Sequence, residues 1–413
     1  TALEDTAGGA TTCTTPYIIG ASYSSDLATA LATVGNPAYA AAQSSYAQTV
    51  QQSYNLGADD LNQRGGLHGC PVQLVFHDFK TLGSDGRDGQ SQQECTDFTQ
   101  DHKVSMVYAN AIEDRVLVEC LHQQGVPVTM AAGAFSADQP DMEKYRGTLF
   151  QPNSLTVSRY GPFIDQFAAA GYFDPGAKVG ILVGDDGSGS RIRMVNELWK
   201  PQLQARGFDP VVFQYTTAEG ISDASRVATV MGQAVLRFKA AQVDHVLMPP
   251  DEAEGLVFFT QAADSQSYRP RYGITTESGA QGWYTAPADQ RSRAVAISYR
   301  VDDVNTQSVL DQNPATPTRA HCQELYLAQN LPVDYPWCDF LSFLQEVFAN
   351  EDPSTDAMLR DVEALGKAHQ SASGYGATLF GPGRYDGLTQ IRTLAWDDAA
   401  SEWAYASRVV DVP

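Results

Sequence analysis

"NQRGGLHGCPVQLVFHDF", Asn62 to Phe79, decides how the chain is read. Upstream of it Tyr46, Val50, Tyr54, Gly57 and Leu61 recur every three or four residues with Gln and Asp between them, so Tyr39–Asn62 is predicted to be an amphipathic helix. Gly65 and Gly66 can take the left-handed backbone that ends a helix. "PVQLVFHDF", Pro71–Phe79, then reads as a strand, which makes the stretch an α-to-β corner. Before the helix, "YIIGAS" (Tyr17–Ser22) is a short apolar run closing on small residues, as a buried strand of a parallel sheet does.

The alternation continues outward. A helix is expected near Gln90–Gln100, a strand over Val104–Ala109, a helix near Arg115–Gln124 and a strand over Val126–Ala131. Strands separated by helices of this length imply right-handed crossovers and one Rossmann-like lobe. Around "LFQPNSLTVSRYGPF" the rhythm resets. A second series follows: helix Ser158–Ala170, strand "KVGILVGDD", helix Arg191–Arg206, strand "PVVFQY", helix Ala224–Ala240, strand "VDHVLMPP", helix Glu254–Ala263 and strand "RYGITT". The strand "AVAISYRV" and helices near Arg319–Gln329, Pro336–Ala349 and Ser354–Lys367 are expected to return to the first lobe, and "LTQIRTLAWDDAASEWAYAS" reads as a hairpin.

Composition narrows the class. The 413 residues carry 27 basic and 49 acidic side chains, a net charge of -22, which disfavours binding to phosphate backbones and to anionic bilayers. No apolar run approaches the roughly 18 residues of a membrane span. The opening "TALEDTAGGATTCTTP" is small, polar and turn-rich, like a mature N-terminus left after removal of a targeting segment, so export is expected. The six cysteines, Cys13, Cys70, Cys95, Cys120, Cys322 and Cys338, show no C-x-x-C pair and no metal-like spacing to His. They read as an oxidised framework in an extracytoplasmic compartment, with buried free thiols as the alternative.

The order of these parts resembles the type I periplasmic binding proteins, in particular the branched-chain amino acid and amide branch of ABC-transporter substrate-binding proteins. "YIIGAS", "DLNQRGGLHGCPVQLVFHD", "HQQGVPV", "VGILVGDD", "VDHVLM", "YGITTESG" and "GYGATLFGPGRYDG" carry the likeness, from Tyr17 to the C-terminus. It implies an α/β fold of two Rossmann-like lobes joined by three crossovers, placed near Gln151–Ser158, Glu277–Gly282 and Gly381–Gly387. Residues 1–152 plus 281–381 would then form lobe 1, and 153–280 plus 382–413 lobe 2, with the ligand cleft between them. It also implies the pairings Cys13–Cys70, Cys95–Cys120 and Cys322–Cys338. The implied role is that of an extracytoplasmic solute-binding protein, periplasmic or at the cell surface, either free or lipid-anchored through a missing N-terminal segment, monomeric and serving the membrane permease of an ABC importer, with no cofactor, metal or nucleic acid. A ligand-sensing ectodomain of the same fold and an extracellular hydrolase are the alternatives.

Ligands of open α/β sheets sit at the carboxyl ends of strands. That rule selects Ser22, Tyr23, Ser24, Asn110, Glu113, Gly133, Phe135, Asp185, Ser188, Asp251 and Glu277 as candidate ligand contacts. Each could equally be a solvated loop residue, and Asp185 and Ser190 could cap the helix near Arg191. The resemblance puts Glu277 on the glutamate that holds a ligand ammonium. The first-lobe hydroxyls that grip a ligand carboxylate are replaced by Ala111 or Ile112 and by Gly133, which argues against a plain α-amino acid. The acidic set Glu113, Asp114, Asp185, Asp186, Asp251, Glu252 and Glu277 suits a ligand rich in N–H or O–H donors. Tyr23, Phe135, Trp283 and Tyr284 would suit an aromatic or lipid-like one. "GDDGSGS" lacks the dinucleotide fingerprint and a Walker lysine, "DGRDGQ" reads as a turn rather than a calcium loop, and His77 beside Asp78 and His68 near Cys70 lack a third catalytic partner. No catalytic residue is expected.

Overall fold

The computed structural model describes residues 13, 15–33, 37–111, 113–131, 135–218, 220, 223–249, 253–275, 279–348 and 354–413. The corner that opens the reading forms as expected. Helix Pro37–Gln63 ends where Gly65 and Gly66 turn to φ values of 104° and 68°. A side chain at Gly66 would collide with the Cys70 carbonyl, 2.0 Å from its Cβ, so the position requires glycine. Asn62 then clips the strand to the helix: its side chain accepts from the Val72 amide at 2.6 Å and donates to the Val72 carbonyl at 2.9 Å.

Among the described residues thirteen strands follow in chain order: β1 Tyr17–Tyr23, β2 Val72–Asp78, β3 Met106–Ala109, β4 Val128–Met130, β5 Leu149–Phe150, β6 Val179–Asp185, β7 Val211–Thr216, β8 His245–Met248, β9 Arg271–Thr275, β10 Ala294–Ser298, β11 Gln390–Asp397, β12 Glu402–Tyr405 and β13 Val410–Asp411. The first sheet, β2-β1-β3-β4-β5, is parallel throughout. In the second, β7-β6-β8-β9-β10-β11-β12, strands β6 to β10 run parallel and β11 and β12 add an antiparallel hairpin. Helix packing against the first sheet is amphipathic. In Arg115–Gln124, Asp114 caps the start by accepting from Val116 N at 2.8 Å, Leu117, Val118 and Leu121 are buried, and Gly125 ends it at φ 70°.

Two expectations are corrected. Strand β10, "AVAIS", pairs in parallel with β9 in the second sheet and does not return to the first lobe, so the second crossover follows β10 instead of lying near Glu277–Gly282. The βαβ rule explains this: β9, the helical turns after it and β10 are one right-handed unit of one sheet. The chain then goes back to lobe 1, where Trp337 of helix Tyr335–Val347 stacks on Tyr54 at 4.5 Å and Phe348 meets Tyr17 at 5.3 Å. "DGRDGQ" is mostly the first turn of helix Gly86–Thr96, not a free turn.

All six cysteines are paired, Cys13–Cys70, Cys95–Cys120 and Cys322–Cys338, as the resemblance implied. Among the described residues no helix is long and apolar enough to cross a membrane. The loops closed by the bridges span 57, 25 and 16 residues. In the loop-entropy picture each bridge removes about 3 to 4 kcal/mol of freedom from the unfolded chain, the longest loop most. Replacing Cys13 and Cys70 together by serine should therefore lower the denaturation midpoint more than replacing Cys322 and Cys338, as measured in urea; the reverse order would contradict that account.

Candidate functional site

The sheet order β2-β1-β3 puts the topological switch of lobe 1 between β1 and β3, where ligands of open α/β sheets bind. There the structure joins three of the nominated residues, and it turns two of them inward. Ser22 at the end of β1 is fully buried; its hydroxyl donates to the Glu113 carboxylate and accepts from the Asn110 amide at 3.0 Å. Glu113, also fully buried, accepts from the Ala111 amide with both oxygens, at 2.9 and 2.8 Å. Asn110 donates from Nδ2 to the Tyr54 hydroxyl at 2.5 Å. Burial pushes the Glu113 carboxyl up to about 7 in spite of these donors, and pushes Asp114 up to about 6 with Asp88 adding to the rise.

The neighbouring rim is held by its own polar ties. Ser24 binds Asp26 at 3.0 Å and Thr81 at 2.8 Å, and Asp26 accepts from the Thr81 and Leu82 amides at 2.9 and 3.0 Å. Asp78 accepts from Ser25 N at 3.0 Å and Ser25 Oγ at 2.7 Å and pairs with Lys80, so His77 takes a different partner, Asp97, at 2.7 Å. Tyr23 is half-buried and meets Phe76 edge-on at 6.3 Å.

On lobe 2, Asp185 accepts from Gly187 N at 3.0 Å and Gln214 Nε2 at 2.9 Å. The Ser188 hydroxyl donates to Asp186 at 2.6 Å and accepts from Ser190 N at 3.1 Å. Neither Asp185 nor Ser190 caps the helix Ser190–Met194; Gly189 occupies the cap at φ 75°, with no side-chain bond. Phe135 is buried against Tyr145 at 6.4 Å. Trp283 belongs to the core, with Nε1 donating to Arg291 O at 3.3 Å, whereas Tyr284 is exposed beside Trp396. Gly133, Asp251, Glu252 and Glu277 lie outside the described residues. Among the described residues no group of three or more His, Cys, Asp or Glu could hold a metal ion.

A cross-lobe seam flanks the site. Ser190 Oγ donates to Ser136 O at 2.5 Å, Arg191 Nε to Ser136 Oγ at 3.2 Å, and Arg193 to Asp138 Oδ2 at 2.7 Å from Nε and 2.6 Å from Nη2. Asp138 also caps helix Gln139–Lys144 in a reciprocal box with Asp141, whose carboxyl burial and the adjacent Asp138 raise to about 7. The sequence reading missed Arg191, Arg193, Ser136 and Asp138. It also missed Glu94, a buried glutamate beside Ser22 and Glu113. Its spacing carried a signal, because Gln90, Glu94 and Phe98 follow one another at intervals of four and all are buried. Because Arg193 is the exposed partner of a buried carboxylate, Arg193→Ala should cost about 1 kcal/mol in urea denaturation and enlarge the radius of gyration in solution scattering; an unchanged radius would remove the seam from control of lobe spacing.

No protein-family model matches the chain, and no curated protein matches it by sequence. Solved structures do match the fold. A periplasmic binding protein type 1 from Bordetella pertussis Tohama I aligns with TM-score 0.68 and 13% identity over 95% of this chain and 100% of its own. The branched-chain amino acid transporter substrate-binding protein LivJ from Streptococcus pneumoniae, solved with isoleucine, aligns with TM-score 0.65 and 15% identity over 97% of this chain and 100% of its own. A fatty acid ABC transporter substrate-binding protein from Thermomonospora curvata aligns with TM-score 0.60 and 13% identity over 96% of this chain and 92% of its own. The two α/β lobes, their parallel sheets and these alignments identify the architecture of the chain as the type I periplasmic binding protein fold.

Proposed function

We propose that the protein is an extracytoplasmic solute-binding protein that captures a small molecule between its lobes and passes it to the permease of an ABC importer, without covalent chemistry. The solute is not a plain α-amino acid. The observation that carries this second point is Glu113. In the amino-acid binders that the sequence resembles, small hydroxyls and backbone amides of lobe 1 hold the ligand carboxylate. Here Ser22 Oγ and Ala111 N already donate to the protein's own Glu113 carboxylate. A ligand carboxylate brought to the same place would meet a second carboxylate and donors that are already bonded.

A solute presenting N–H or O–H donors fits better: an amine, amide, polyol or glycoside. Glu277 is its proposed acceptor on lobe 2, and Tyr23 with Asn110 borders it on lobe 1. The structural neighbours support a breadth of solutes on this fold, since one was solved with isoleucine and another is described as a fatty acid binder.

The test is a thermal-shift series on protein freed of any carried ligand by unfolding and refolding. Ligand at about 100 times its Kd adds about 2.7 kcal/mol to stability, enough to move the midpoint. Donor-rich amines, amides, polyols or glycosides should raise it, while isoleucine and valine should not. A shift with either amino acid would overturn the Glu113 argument, and a shift only with fatty or aromatic acids would replace the donor-rich reading. With the responding compound, Glu277→Ala should weaken binding about tenfold or more, because a buried ligand donor loses its acceptor; unchanged affinity would remove Glu277 from the site.

A further inference from the structure

Two fully buried glutamates meet beneath the edge of the candidate site. Glu113 follows β3, and Glu94 projects from helix Gly86–Thr96. Ser22 lies beside both. Glu113 is supplied with donors, Ser22 Oγ and Ala111 N. Glu94 is not: neither of its oxygens has a partner within ordinary hydrogen-bond geometry, and the nearby Ser22 hydroxyl, which offsets its burial only in part, already gives its proton to Glu113. Two buried charges at such close quarters, one of them without donors, cannot both persist.

Among the described residues, none of the groups acting most strongly on the pair is a cation. Asp97, Asp114 and Asp88 add negative charge, and His77 and His102 are engaged with Asp97. Arg87, the buried cation of the same helix, lies two turns before Glu94, and the groups acting most strongly on Glu94 are Glu113, Ser22, Asp97 and Asp114. No described cluster of His, Cys, Asp and Glu is arranged for a metal ion. A proton remains.

We infer that Glu94 is a neutral carboxylic acid at neutral pH, turning its O–H toward the Ser22–Glu113 pair, and that this one proton fixes the loop Asn110–Asp114 at the edge of the ligand cleft. The hydrogen-bond count fits. Ser22 Oγ accepts from Asn110 N and donates to Glu113, which leaves it one lone pair for an incoming O–H. Burial followed by the nearby Glu113 charge acts in the same direction, raising the Glu94 carboxyl well above its ordinary range. In alkaline solution the proton leaves, two carboxylates repel between the ends of β1 and β3, and the loop carrying Asn110 loosens. The site is thereby ordered in mildly acidic to neutral medium and weakened in alkaline medium. This rests on the proposed function only in calling that loop a ligand-contacting one; the proton itself is measured without ligand.

The sign of the linkage is fixed. A carboxyl whose folded pKa is raised stays protonated in the native state while the unfolded chain releases its proton, so its stabilising contribution is complete below the unfolded value near 4.5 and is lost as pH rises. Glu113 and Asp141, raised to about 7, and Asp114 and Asp334, raised to about 6, slope the same way, so the readout is the difference between variant and wild type. The infrared difference spectrum at pH 7, wild type minus Glu94→Gln, should contain a carboxylic-acid carbonyl band, over and above the contribution of Asp141 that both proteins share. The melting temperature of Glu94→Gln relative to wild type should rise by about 2 °C or more between pH 5 and pH 8.5. Glu113→Gln, which keeps an oxygen for Ser22 and Ala111, removes the repelling charge and should flatten the pH slope too, and it decides the matter if Glu94→Gln does not fold. An unchanged band with wild-type slopes overturns the inference, as does a band lost in Glu113→Gln and retained in Glu94→Gln.

Discussion

The two lobes depend on one buried carboxylate. Asp386, 1% exposed, accepts from Thr156 N and Thr156 Oγ1 at 3.0 Å each and from Arg159 Nε at 2.7 Å. Its neighbours Tyr385 and Gly387 exchange backbone bonds with Gln151, so the first and third crossovers are a single short parallel ladder. The second reaches the first where the Tyr299 hydroxyl lies 3.4 Å from Ser154 Oγ, and it is tied to the chain ahead of the third where Val301 N donates to Ser373 O at 2.6 Å. A carboxylate taken out of water is tolerated only with donors on it. Those donors come from a segment about 230 residues away in the chain, so the bond ties distant parts of the sequence together at the junction of the lobes.

Around that hinge the polar groups of the cleft edge are already committed. Ser22, Ser24, Asp26, Asp78 and Glu113 bind one another or backbone amides of lobe 1. Such pre-organisation lowers the ordering cost of binding. On the proposed function it also bears on the solute, because the Glu113 carboxyl already takes the donors of Ser22 and Ala111. The inferred Glu94 proton fits the same crowding: carboxylates packed closely beneath a sheet edge need neutralising, and none of the groups acting most strongly on Glu94 is a cation.

Much of this architecture was legible in the sequence, for local reasons. The helix expected near Arg115–Gln124 has those bounds, since Asp114 caps its start and Gly125 ends it, and the corner at Gly65 and Gly66 is readable because paired glycines admit the left-handed backbone that ends a helix. The disulfide pairs followed from the resemblance, since proximity of helices is a property of the fold. Strand β10 was misassigned because "AVAISYRV" is a buried apolar run in either lobe; its partner is determined by β9, not by its own residues. Glu113 reads as a loop carboxylate facing ligand or water. That it turns inward depends on Ser22, 91 residues earlier, a contact no local pattern encodes. The charged seam from Ser136 and Asp138 to Ser190 and Arg193 is of the same kind.

The central claim is that solute closes two lobes about the Asp386 hinge. Because every native cysteine is in a disulfide, single cysteines introduced at exposed Gln123 in lobe 1 and exposed Gln204 in lobe 2 can carry a donor and an acceptor fluorophore. Energy transfer during titration with the compound that raises the melting temperature should rise and saturate at one ligand per chain. Saturable binding with no change in transfer, or transfer that changes without saturating, would contradict the account.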